Sequence, residues 1–117
     1  MKEPIVSKEL AQLLKEKGFD WEVRQAYYKN SKESSSWLEP QNHNKGVLYV
    51  SAPTLSHAAM WLRKVHNLHI RTNWVDKWYY VINDMKDAFE EWGSETDYST
   101  HDDCLIAAIE KALKELT

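Results

Sequence analysis

Cysteine is nearly absent. Cys104 is the single one, so no internal disulfide can form, and the chain fits a reducing compartment. Glycine and proline number three each, which excludes a fibrous or linker-like composition. No apolar run approaches the ~18–20 residues of a membrane-spanning helix. The opening Met1-Lys2-Glu3-Pro4-Ile5-Val6 lacks the apolar core of a secretory signal. Basic density is missing as well: the net charge is −3 and the signs are mixed along the chain. Phosphate neutralisation needs a basic face, so neither nucleic acid nor an anionic membrane is the expected partner. A cytoplasmic location is expected.

What the chain has is aromatic mass: six Trp, six Tyr and two Phe in 117 residues. Each large ring can bury about 150–250 Å², so a compact core needs few residues, and some rings stay at the surface. With 43% apolar and 28% charged residues the composition is that of an ordinary globule, and the length suits one domain, 1–117.

Ser7 can cap a first helix over residues 7–17, with Glu9 in its first turn, a Leu10, Leu13, Leu14 stripe and Gly18 as its stop. Trp21 to Tyr28 alternates as a strand, with Trp21, Val23, Gln25 and Tyr27 on one side. Residues 30–36 read as a polar turn or loop, and Val47 to Val50 as a second strand. Thr54 is the expected cap of a central helix whose face is Leu55, Ala58, Leu62 and Val65, flanked by Trp61. Asn67 can end that helix in the left-handed conformation.

Leu68 to Val75 and Trp78 to Ile82 then alternate around Asp76-Lys77, which predicts a tight hairpin. Residues 84–93 read either as a short helix or as a third strand around Ala88 to Trp92. The strand is favoured, because a lone hairpin buries little. Thr100 with Asp103 opens a last helix striped by Leu105, Ile109, Ala112 and Leu116 and widened by Ile106 and Leu113, with Glu110 and Lys114 paired outside. Both of the first two helices run directly into an aromatic-rich strand, which hints at related halves, but too few identities support a repeat.

The run Ser51 to Ile70, the close Ala107 to Leu116 and the opening Glu9 to Asp20 together resemble a group of small proteins. The group is carried by phages, prophages and mobile elements of gut bacteria. The residues concerned are mostly packing and capping residues. Thr100-His101-Asp102-Asp103 departs from the Tyr-Glu-Glu of that group. The resemblance implies accessory, element-borne biology; no activity, and so no catalytic or binding residue, comes with it.

Residue types that could carry chemistry lack the spacing for it. His57 and His66 are about 900° and ~13 Å apart on a helix, so they cannot share a metal. His66 and His69 straddle a corner without a thiolate or carboxylate beside them. Cys104 with His101 lacks an orienting third group, and free cysteine is commonly a small buried hydrophobe. The acidic residues Glu90, Glu91, Glu95, Asp97, Asp102 and Asp103 lack the ligand pattern of a calcium loop. No metal, cofactor or catalytic residue is therefore expected.

The aromatics Trp74, Trp78, Tyr79 and Tyr80 share one hairpin and alternate between its faces. They serve either cross-strand packing or an interaction surface. The expectation is an α+β fold: a small antiparallel sheet of about four to five strands, with three helices mainly on one face, in the order α-β-β-α-β-β-(β)-α. The expected role is non-enzymatic protein interaction, with another protein or in a homodimer, through Trp74, Trp78, Tyr79 and Tyr80. The alternative is a single-stranded nucleic-acid binder that stacks bases on those rings.

Overall fold

The first helix is closed at both ends by its own sequence. A computed structural model describes residues 4–85, 91–94 and 96–116, with helix α1 at Lys8–Glu16. Ser7 Oγ accepts from the Leu10 amide at 3.2 Å. At the other end Gly18 takes φ 95°, its N–H donates to Lys15 and that of Phe19 donates to Leu14. This paired bond is completed by Phe19 and Leu14, both buried.

The chain divides into two compact units, Met1–Thr54 and Leu55–Thr117. In the first, α1 leads into strand β1 (Val23–Tyr28), which is flanked by β2 (Ser34–Gln41) and β3 (Tyr49–Ser51) in the antiparallel order β2-β1-β3. The segment 30–36 is thus not all loop: residues 34–36 belong to β2. That strand lies at the sheet edge with both faces largely in solvent, so no period-two pattern marks it. The second strand also lies later than Val47 to Val50, because Val47 and Leu48 stay outside the ladder.

The alternation expected along β1 breaks as well. Between Val23 and Gln25 the β2 partner jumps from Gln41 to Ser36, so β2 carries extra residues there. Beyond the irregularity Ala26 and Tyr27 are both buried. Pro40 lies in the irregular stretch, where a missing N–H costs no ladder bond.

In the second unit, helix α2 (Leu55–His66) turns through Asn67 at φ 56° into β4 (Leu68–Val75), as expected. Its face is shifted from the expected one. Trp61 is 1% exposed and belongs to the buried set with Leu55, Ala58 and Leu62, whereas Val65 is exposed. The indole replaces the more distal valine on the buried stripe.

Strands β4, β5 (Lys77–Asp84) and β6 (Glu91–Gly93) form the antiparallel sheet β4-β5-β6. Strand β6 answers the open choice for 84–93 in favour of a strand at its C-terminal end; residues 86–90 of that segment lie outside the described residues. Helix α3 (His101–Lys114) starts at Thr100, whose Oγ1 accepts from the Asp103 amide at 3.1 Å. It buries Cys104, Leu105, Ala108, Ile109, Ala112 and Leu113, while Ile106 and Leu116 are half-buried. Glu110 pairs with Lys114, and Lys111 with Glu115, each at 2.7 Å.

Among the described residues the fold is therefore α+β with three α-helices, but the strands form two three-stranded sheets rather than one sheet of about four to five. The expectation missed β2, which gives the first unit a complete sheet of its own. The central strand is the first of the unit in one sheet and the second in the other, so the two halves share a helix-to-strand join and not a topology.

Candidate interaction surface

The β4–β5 hairpin places the four aromatics singled out in the sequence. Trp74 stands opposite Trp78 and Thr72 opposite Tyr80, with Asp76 alone at the apex at φ 66°. Residues directly opposite share a face, and alternate residues change face. Even-numbered positions include the buried Leu68, Tyr80 and Ile82, and α3 packs on β4 and β5. Even positions therefore face the helices. Odd positions, among them His69, Arg71, Asn73, Lys77 and Tyr79, form the other face.

On the helix side the rings fare differently along the strand. Tyr80 is buried and stacks on Tyr98 with centroids 6.2 Å apart. Trp78 is half-buried and meets the His101 ring edge-on at 5.0 Å. Trp74, beyond the reach of that helix start, is 60% exposed, and Val75 beside it is 70% exposed. Val75 is an odd position, so the two leave apolar side chains exposed on opposite faces of the hairpin tip. Tyr79, half-buried, is the one member of the four on the opposite face.

The chemistry-bearing residues do not converge. Among the described residues no three His, Cys, Asp or Glu side chains are placed to hold a metal. His66 packs edge-on against Trp61 at 4.7 Å. Cys104 is fully buried, and desolvation pushes its thiol up, which favours the protonated form. His101, three residues before it on the same helix, packs its ring against Trp78, and no dyad is expected of the pair. Glu90 and Glu95 of the acidic set lie outside the described residues.

Sequence reasoning missed a second aromatic group, in the first unit. Trp37, His43 and Tyr49 bring their rings together, Trp37 to His43 at 4.2 Å and Trp37 to Tyr49 at 5.2 Å, nearly perpendicular. Gly46, Val47 and Leu48 join them around a shallow groove of about 440 Å³. A polar scaffold fixes the groove. The His43 Nε2–H donates to the Val23 carbonyl at 3.1 Å, the His43 amide to Ser51 Oγ, and the Ser51 amide to Asn44 Oδ1. Lys15 donates to the Gly46 carbonyl at 2.6 Å. Burial lowers the His43 pKa, and the bond to Val23 opposes this in part. The rings meet only because β2 and β3 flank β1, a pairing that no local spacing announces.

No family model, no curated protein and no solved structure matches the chain.

Proposed function

We propose that this chain is a protein-interaction module whose contact surface is centred on the tip of the β4–β5 hairpin. The carrying observation is the exposure of Trp74 and Val75, one on each face of the hairpin tip, beside rings that are packed. A tryptophan left open in water forfeits the burial it could gain, and such rings are common anchors at interfaces. The accessory, element-borne role implied by the sequence resemblance is part of this proposal. The test is the full chain carrying Trp74→Ala with Val75→Ser. Whatever complex the wild type forms, with itself or with another protein, should be lost while the thermal midpoint is kept. Complexes that survive both substitutions overturn the reading.

A second reading has one observation in its favour. The sheet face away from the helices places Arg71 and Lys77 beside Tyr79, an arrangement suited to a stacked base with a nearby phosphate. Binding of oligo-dT that weakens steeply with salt, and is lost in Tyr79→Ala, supports this reading over the first. An oligonucleotide that does not bind at low salt removes it.

A further inference from the structure

We propose that β4 pairs with β4 of a second copy of this chain, antiparallel and centred on Thr72, joining two β4-β5-β6 sheets into one. The proposal rests on the reading of this hairpin as an interaction element and names its partner as a copy of itself.

Four strands lie at sheet edges among the described residues: β2, β3, β4 and β6. An edge presents unpaired N–H and C=O groups, and proteins blunt edges with short strands, bulges, proline or lysine. β3 is three residues long, β6 is described only over Glu91–Gly93, and β2 carries a register break and Pro40. β4 has none of these devices. It runs eight residues in unbroken register with β5, contains no proline or lysine, and carries one charge, Arg71, apart from His69.

The direction of its free groups follows from the ladder. Trp78 and Tyr98 exchange both backbone bonds, at 2.9 and 2.8 Å, and the Ser94 N–H donates to the Tyr80 carbonyl. Even residues of β5 therefore bond away from β4, and odd ones bond toward it. Their partners on β4 are also odd: His69, Arg71, Asn73 and Val75. The N–H and C=O groups of Ile70, Thr72 and Trp74 consequently point out of the sheet edge.

Antiparallel pairing of this edge with itself has two central registers. One, with its axis at Arg71, sets Arg71 directly against the partner's Arg71, and like charges directly opposite are destabilising. The other, with its axis at Thr72, uses the outward groups of Ile70, Thr72 and Trp74 in full. It places Ile70 beside the partner's Trp74 and Thr72 beside the partner's Thr72, both favourable cross-strand pairs. It also sets Arg71 against the neutral Asn73 of the partner subunit, and brings the exposed Trp74 onto apolar surface. Charge and apolar complementarity thus select the Thr72-centred register.

The test is sedimentation equilibrium of the full chain, with amide exchange by NMR. A reversible dimer is expected, in which the outward amides of Ile70, Thr72 and Trp74 become protected with concentration while the ladder amides of Arg71 and Asn73 are unchanged. Asn73→Asp, which offers a carboxylate to the partner's Arg71, should tighten the dimer about two- to tenfold, and Asn73→Lys should weaken it similarly. Thr72→Pro removes an outward N–H that β5 does not use, and should cost about tenfold or more. The Asn73 pair, lying outside the helix-covered face, decides the matter if Thr72→Pro does not fold. A strictly monomeric wild type, or a dimer indifferent to the Asn73 substitutions, overturns the proposal. If Trp74→Ala with Val75→Ser still abolishes a complex with another protein, the wider reading survives that failure.

Discussion

Trp74 stands directly opposite Trp78 across the hairpin, yet one ring is packed against His101 and the other is mostly in water. The pair shares a face and a sheet; what separates the two rings is the start of α3, which meets Trp78 and leaves Trp74 uncovered. Their substitution should therefore divide stability from binding. Trp78→Ala should cost about 1–3 kcal/mol through its lost ring contact and burial. Trp74→Ala should stay within about 0.5 kcal/mol of wild type. Denaturant titration of both variants measures this, and equal losses would mean that Trp74 is a packing residue.

Trp61 is the largest fully buried side chain, and it packs edge-on against His66. Trp61→Ala should destabilise by about 3–5 kcal/mol, the range for truncation of a core aromatic. A thermal midpoint within a degree or so of wild type would show that the indole is not part of the core.

The contrast between Trp61 and β2 shows what was legible in the sequence. Caps and stops are local, so Ser7, Gly18, Asn67 and Thr100 could each be read from their neighbours. Most stripe positions of the helices were legible; in α2 the buried face took in Trp61, expected only to flank it, and left out Val65 one turn further on. β2 was not legible, because an edge strand solvated on both faces has no alternation to display. The division of the strands into two sheets depends on pairing between distant segments, and so does the meeting of Trp37, His43 and Tyr49. At the hairpin the sequence showed the aromatics and their alternation. It did not show which face the helices cover, and that decides that Trp74 is the exposed ring.

Gly18 holds φ 95° with nothing within 4 Å of the place a Cβ would occupy. Gly18→Ala should therefore lose about 1–2 kcal/mol through backbone strain alone. Asn67→Gly, at the equivalent join of the second unit, should be close to neutral, since glycine adopts the left-handed conformation at no steric cost. Chemical denaturation compares the two, and a harmless Gly18→Ala would remove the requirement for that backbone conformation.

His43 titrates below the ordinary histidine value because burial disfavours its charged form. The folded state thus binds this proton more weakly than the unfolded chain does. Its contribution to stability is present above the ordinary histidine pKa and is lost as the pH falls through the folded-state value. Wild type should lose more stability between neutral and mildly acidic pH than His43→Gln does. Parallel stability profiles for the two proteins would assign the pH dependence to other groups.

Site-specific photo-crosslinking tests the interaction surface most directly. A photoreactive residue is placed in the full chain at Val75, or at Leu38 in the first unit, which is 95% exposed, and the protein is irradiated in its native host cells. Covalent protein adducts, to a second copy or to another protein, are expected from position 75 and not from position 38. Adducts from position 38 with none from position 75 would contradict the account and move the interaction surface to the first unit.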